Sequence, residues 1–327
     1  MNTCGLMTQL ANTVRTAVLP FLGSATGRTV TGQASSGDTT FQIDEVAEEA
    51  IEGFMARQHL PWAVYTEDRG LRVPGGRSSY ERVLIIDPID GTRSAMAGLE
   101  ACVVSIAAAP GLARPCFGDV DAAVVVELLT GDCIAASGGS VTRSRYDGHE
   151  LPVLLREGAE PGRAGVAVDV VGAPLDVVFR VLNEVVSGCT LRGGLFVLNS
   201  TAFELTRLAT GQLSAVVDVR ARLLHELDWL QPRFNAYGDG RPIALCPYDA
   251  AAAAYIALQA GACVTDAHGL PIDRWDLLDT QPSNFGTLIA AAKPALHGAI
   301  LESVERGCAE LGSVPARPDG YHSGRTA

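Results

Sequence analysis

The sequence predicts a layered α+β fold in which helices and strands build two packed lobes. The length, 327 residues, exceeds one ordinary domain. Short apolar runs that suit buried strands are interleaved with segments whose apolar residues recur every three to four positions, the period of a helix face. In the second half these two patterns alternate regularly, which argues for helices layered on sheets. A polar stretch rich in Gly and Pro at 143–162 marks the boundary. It separates an N-terminal α+β lobe, 1–150, from a C-terminal α/β lobe, 151–312. A tail with Pro, Gly, Ser and Arg, 313–327, is expected to be disordered.

Taken in order, Leu6, Met7, Leu10, Val14, Ala17 and Val18 share one face of an amphipathic helix. The Asn, Thr, Gln and Arg residues among them distinguish it from a signal peptide. A Gly/Ser/Asp loop at 32–38 precedes a second helix at 44–55. Its apolar face is formed by Ile43, Val46, Ala47, Ala50, Ile51, Phe54 and Met55, opposite Glu45, Glu48, Glu49 and Glu52. A strand at 63–65 leads into Thr66-Glu67-Asp68 and a loop over 70–79. Val83-Leu84-Ile85-Ile86 reads as a buried strand that stops at Asp87-Pro88. Further strands fall at 103–108, 122–129 and 133–136, with a turn at Thr130-Gly131-Asp132. Beyond the boundary, strands at 165–171, 195–198, 213–219, 263–266 and 287–291 accompany helices at 175–186, 201–210, 250–260 and 295–306.

Composition excludes several function classes. The net charge is −12, and Lys293 is the single lysine, so neither a basic footprint for nucleic acid nor a Walker-type phosphate loop exists. An acidic chain that handles phosphate needs positive charge at its site, and bound cations would supply it. The eight cysteines contain no C-x-x-C pair, which fits reduced, mostly buried thiols in a cytoplasmic protein. The most apolar stretch, 250–264, is too short to span a bilayer. No H-E-x-x-H or G-x-S-x-G pattern occurs.

The strongest chemical signal is Asp87-Pro88-Ile89-Asp90-Gly91-Thr92. A buried strand delivers two carboxylates three positions apart, followed by a glycine that admits close backbone approach and by a hydroxyl. Each carboxylate buried without a partner would cost on the order of several kcal/mol. Hard cations with oxygen ligands would relieve this, although such a turn could also merely cap the next helix. Glu67 and Asp68 form a second acidic pair after a strand. Asp44 and Asp249 open helices, where an acid is stabilised by the macrodipole whatever its other role. In Asn199-Ser200-Thr201, Thr201 and Glu204 fit a capping box, and the helix start could face an anion.

Together these segments resemble the inositol monophosphatase family, within the lithium-sensitive, magnesium-dependent phosphatases that include fructose-1,6-bisphosphatases. Asp87 to Thr92 matches its D-P-[IL]-D-G-[ST] motif, and Thr66-Glu67-Asp68 its G/S-E-E segment. Gly37 to Glu48 matches the preceding loop and helix, and Tyr248-Asp249 to Gly269 the later W-D-x-A-A-G and glycine-rich segments. The resemblance spans about residues 1–310. It implies a layered αβαβα sandwich and a phosphomonoesterase acting on a small sugar, cyclitol or inositol phosphate by attack of metal-activated water. It implies metal ligation by Glu67, Asp87, the Ile89 carbonyl, Asp90 and Asp249. It gives catalytic roles to Glu67, Thr92 and Asp44 and rests the phosphate on Gly91 and Thr92, while the helix start itself makes Asn199, Ser200 and Thr201 further substrate-binding candidates. Mg²⁺ at two or three positions per site, with Mn²⁺ as a substitute, and a lithium-sensitive homodimer without nucleic-acid or membrane partners follow from the resemblance too. Two such cations, about 3.5–4 Å apart, can clamp the entering and leaving oxygens of an in-line displacement.

Several residues depart from the family pattern. Asp68 is one methylene shorter than the second Glu, which bears on a third metal. Ser94 replaces Asn, Asn199 replaces Gly, and Phe196 replaces an Arg. Pro242 stands where a substrate-reading acid is expected, and the segment between Asp218 and Asp249 carries extra residues. Asp228 competes with Asp249 but is assigned to a helix of that insert. A fructose-1,6-bisphosphatase, a phosphonucleotide phosphatase and a non-catalytic metal-dependent sugar-phosphate-binding protein are the alternatives.

Overall fold

Side chains alternate along the apolar run at 83–86. Leu84 and Ile86 pack in one hydrophobic cluster and Val83 and Ile85 in another, and all four are essentially inaccessible. This is the signature of a strand covered on both faces, and it sets a sheet between two helical layers. The protein is described by a computed structural model over residues 2–33, 39–76, 78–156 and 160–312. The tail at 313–327 lies outside the described residues. So do positions 34–38 of the first loop, 77 of the 70–79 loop and 157–159 of the boundary stretch.

The first half contains α1 (Thr3–Val18), β1 (Val30–Gln33), β2 (Thr39–Phe41), α2 (Gln42–Gln58), β3 (Trp62–Thr66), β4 (Gly70–Arg72), β5 (Arg82–Asp90) and α3 (Thr92–Ala97). It continues with β6 (Val103–Pro110), β7 (Ala122–Glu127), β8 (Cys133–Ser137), β9 (Ser140–Ser144) and β10 (Glu150–Leu151). Eight strands form one sheet in the order β10-β9-β8-β7-β6-β5-β3-β4, antiparallel except for the β3–β5 pair, while β1 and β2 form a separate ribbon. The second half contains β11 (Gly165–Val168), α4 (Leu175–Val181), α5 (Asn183–Cys189), β12 (Gly194–Phe196), α6 (Thr201–Ala209), β13 (Ala215–Asp218) and α7 (Arg220–Glu226). After these come α8 (Gln231–Tyr237), α9 (Pro247–Gln259), β14 (Cys263–Thr265), β15 (Leu288–Ala291) and α10 (Pro294–Gly312). Its five-stranded sheet has the order β12-β11-β13-β15-β14, with β12, β11 and β13 parallel.

The layers stack as αβαβα. Helices α1 and α2 cover the outer face of the large sheet, α6 and α9 lie between the sheets, and α4, α5 and α10 cover the small sheet. Helix α9 touches β5, β6 and β7 on one side and β14 on the other. Its five successive alanines, Ala250 to Ala254, are buried. Side chains of one carbon let both sheets approach the helix closely at native packing density.

Four differences from the sequence expectations have structural causes. Strand β5 runs to Asp90 rather than stopping at Ile86, because its ladder with β6 continues from Asp87–Ser105 to Asp90–Val103 across a register shift. The shift spans Pro88, which has no N–H to donate, so a bulge falls there. The 70–79 loop contains β4, and the polar boundary contains β10 and the end of β9, which continue the sheet by backbone pairing, with Val141 of β9 also packing on the core. The helix expected at 175–186 is two helices, broken at Leu182 with φ −89° and ψ 6°. Asp228 sits in a short 3₁₀ turn between α7 and α8, within the insert. All eight cysteines are free thiols. Among the described residues no helix is long and apolar enough to cross a membrane.

Leu84 is fully buried in the central strand. Leu84→Ala is expected to lower the unfolding free energy by about 3 kcal/mol, read from the shift of a urea denaturation midpoint.

Candidate active site

The bulge in β5 places two carboxylates at the strand end, on the wall of a cleft. Asp87 and Asp90 flank the bulge and are 3% and 6% exposed. Gly91 follows at φ +85°, where a Cβ would lie 2.3 Å from the Ala101 carbonyl oxygen and 2.9 Å from Ser200 Cβ, so only glycine fits. Thr92 then begins α3. Asp249, the third residue of α9, arrives from the other half of the chain. Asp87, Asp90 and Asp249 each place a carboxylate oxygen within 4.8 Å of the others. Glu67, Ile89, Gly91 and Thr92 line the same cleft.

The aspartates are held by backbone N–H groups. Asp87 Oδ1 accepts from the Ile89 N–H at 3.0 Å. Asp90 Oδ2 accepts from the Ser200 hydroxyl at 2.8 Å and from the N–H groups of Ala202 and Phe203 at 2.6 and 3.3 Å. Asp249 Oδ2 accepts from the Cys246 N–H at 2.7 Å. Asp44 Oδ2 accepts from the Phe41 N–H at 2.8 Å, while its Oδ1 lies 3.5 Å from the Thr92 hydroxyl, which donates to the Ile89 carbonyl at 2.9 Å. Asp44 and Asp249 therefore cap their helices and also reach toward the site. Glu67 Oε1 accepts from the Tyr248 hydroxyl at 3.4 Å.

Not every expected residue faces the cleft. Asn199 and Thr201 line it, whereas Ser200 is fully buried with its hydroxyl committed to Asp90. The capping box read at Thr201 and Glu204 is not formed. Ser200 is the N-cap, Thr201 donates to Asp169 Oδ2 at 2.5 Å, and Glu204 accepts from the Leu198 N–H at 3.1 Å. The anion met by the start of α6 is Asp90 itself. Asn199 adopts φ +55°, a left-handed conformation that asparagine tolerates where the family pattern has glycine. Asp68 accepts from the Thr40 hydroxyl, and Asp228 is exposed and absent from the cleft wall.

Sequence reasoning missed Asp169 and Arg220, which line the cleft. Arg220 is buried and grips Asp218 through Nε and Nη2, with its Nη1 donating to the Val171 carbonyl at 2.8 Å. The available signal was position, since Asp169 and Arg220 follow the carboxyl ends of the parallel strands β11 and β13, where α/β sheets place ligands.

The cluster is electrostatically frustrated. Burial pushes the Asp87 carboxyl well above the usual range, and the charges of Asp90, Glu67 and Asp249 push further. Burial raises Asp90 to about 7 against the hydrogen bonds from Ser200, Ala202 and Phe203. Asp249 is raised well above the carboxylate range by burial and then by Asp90. Burial lifts Asp169 to about 6 despite the Arg220 guanidinium. The Cys246 thiol is raised by burial as well, which makes it a poor nucleophile. A confined donor set made wholly of oxygens, with excess negative charge, fits hard divalent cations.

The sequence model of the inositol monophosphatase family matches residues 4–307. The chain belongs to the inositol monophosphatase family. One relative of this family member is the fructose-1,6-bisphosphatase/inositol-1-monophosphatase of Methanothermobacter thermautotrophicus, 25% identical over 305 residues covering 92% of this chain and 96% of the relative. The inositol-1-monophosphatase of Aeropyrum pernix is 26% identical over 250 residues, 74% of this chain and 77% of the relative. The solved IMPase structure from Thermotoga maritima superimposes with a TM-score of 0.68 at 19% identity, covering 95% of this chain and all of that one, and shares its fold. As an inositol monophosphatase-family protein the chain is a phosphoric monoester hydrolase, which sets aside the non-catalytic alternative.

The raised carboxyl pKa values have a sign that can be tested. A group that binds its proton more tightly folded than unfolded supports the fold fully below its unfolded pKa, near 4, and loses that support as pH rises through its folded value. For Asp169 and Asp90 those folded values are about 6 and about 7. In EDTA the melting temperature should fall between pH 5 and pH 8. MgCl₂ should restore it by about 5 °C or more at pH 8 and by less at pH 5. Equal magnesium effects at both pH values in scanning fluorimetry would contradict the assignment.

Proposed function

We propose that this chain is a magnesium-dependent phosphomonoesterase that hydrolyses a small sugar, cyclitol or inositol phosphate by attack of an activated water. The observation that carries this reading is the convergence of Asp87, Asp90 and Asp249 beside Glu67 and Thr92 in one cleft. The names of the relatives, fructose-1,6-bisphosphatase/inositol-1-monophosphatase and inositol-1-monophosphatase, support this substrate range. They keep fructose 1,6-bisphosphate as the second candidate.

Glu67, Asp87, the Ile89 carbonyl, Asp90 and Asp249 would hold the cations. When bound, such cations neutralise the phosphate dianion and acidify water. Glu67 and the Thr92 hydroxyl orient the attacking water, and Glu67 takes its proton. Asp44, near the Thr92 hydroxyl and anchored on the Phe41 N–H, positions Thr92 rather than touching substrate. The backbone of Gly91 and Thr92 cradles the phosphate. Asn199 and Thr201 meet the alcohol from the opposite wall, and Ser200 acts through its hydrogen bond to Asp90. The water oxygen bonds to phosphorus as the ester P–O bond breaks, and the leaving alkoxide takes up the proton that the water gave to Glu67, so the products are the alcohol and phosphate. A cytoplasmic homodimer, inhibited by lithium and active with manganese, belongs to the same proposal.

Phosphate release should be measured from inositol 1-phosphate, fructose 1,6-bisphosphate, sugar phosphates and nucleotides. At least one cyclitol or sugar ester should be cleaved with magnesium and none with EDTA. Asp90→Asn should lower kcat by about 10³-fold or more, and Thr92→Ala by about 10²-fold. Activity that survives EDTA or Asp90→Asn would reject the mechanism.

A further inference from the structure

A second cleft opens directly off the first. The two share Arg93, Val171, Asn199 and Ile243, and the outer one continues along Val170, Leu175 and Tyr237. The character of the wall changes along this path, from carboxylates around Asp87 and Asp90 to aliphatic and aromatic side chains. The one carboxylate on the outer wall, Asp176, is engaged by Arg233 of α8 through both guanidinium Nη atoms. That ion pair ties α8 to α4 across the cleft. Tyr237 is the last residue of α8, within the segment that departs from the family pattern.

The wall is built rather than incidental. Gly172 has φ +70°, and a Cβ there would stand 3.0 Å from Ile243 Cβ, so the glycine lets Ile243 sit close against the wall that both clefts share. Leu175 and Tyr237 are each 50% exposed, in a chain with few aromatics, and they face one space. Arg93 and Asn199 offer polar contacts only where the two clefts join, so a bare polyol against Val170, Leu175 and Tyr237 would press hydroxyls onto hydrocarbon and lose hydrogen bonds to water there. An apolar group would gain by covering these side chains.

We infer that the outer cleft receives an apolar substituent of the substrate's alcohol. On this view the ester cleaved is a polyol or sugar phosphate that carries an alkyl or aryl group. The inference rests on the phosphatase reading for the reaction but on Leu175, Tyr237 and Ile243 for the ligand.

The test separates the two. Binding of 3-phenylpropylphosphonate and methylphosphonate, which contain no ester to cleave, is measured by titration calorimetry on the full chain in MgCl₂. The phenylpropyl compound should bind at least about tenfold more tightly. Tyr237→Ala and Leu175→Ala should each bring the ratio of the two affinities toward one, and Tyr237→Phe should keep it. A wild-type ratio below ten, or one that both alanine variants leave unchanged, overturns the inference. Phosphate release from glucose 6-phosphate and 3-phenylpropyl phosphate is followed in parallel. Its absence with both esters and with inositol 1-phosphate and fructose 1,6-bisphosphate rejects the phosphatase reading, while the phosphonate ratio still decides the cleft.

Discussion

Three donors from the start of α6 converge on Asp90 Oδ2, and the same residue stands beside Asp87 at the bulge of β5. This contact joins the large sheet to the helical layer between the sheets. It also decides the state of the site. The hydrogen bonds favour a charged Asp90, while burial and the neighbouring acids oppose it. The helix start offsets part of that opposition, and the remainder falls on a cluster that includes Asp249 from the far side of the same layer. The geometry that assembles the carboxylates is thus the geometry that makes them repel, a charge excess that hard cations would offset.

The sandwich follows from where hydrophobic surface can be hidden. Strands β5, β6 and β7 are apolar on both faces, so the large sheet must lie inside, with α1 and α2 on one face and α6 and α9 on the other. Arg207 of α6 reinforces this arrangement through a hydrogen-bonded ion pair with Glu127 of β7 at 2.6 Å. Replacing one partner would leave the other charge nearly buried and unmatched.

Much of this was legible in the chain itself. The run at 83–86, the motif that follows it and the alanine helix each carry a local signal, and the structure brings Asp87, Asp90 and Asp249 together from them. Other features depend on partners remote in sequence. Strand β9, Ser-Val-Thr-Arg-Ser, has no apolar period because it lies toward the edge of the sheet and is held by backbone pairing. The extension of β5 to Asp90 depends on β6 accepting a bulge at Pro88. Ser200 and Thr201 read as cleft residues and a cap, yet Asp90 claims one hydroxyl and Asp169 the other. Asp169 and Arg220 stood as isolated charged residues, and only the alignment of β11 with β13 makes them neighbours of the site.

The thinness of α9 has a consequence beyond packing. Asp249 rides on its first turn, and the alanines behind it set how near that turn stands to the strand bearing Asp87 and Asp90. Magnesium prefers oxygens at about 2.0–2.1 Å and calcium at about 2.3–2.6 Å, a contrast of a few tenths of an ångström. With cations held as proposed, methyl groups in the core would act as a spacer for ionic radius. Discrimination between these ions would be governed in part by hydrocarbon volume that never meets the ion.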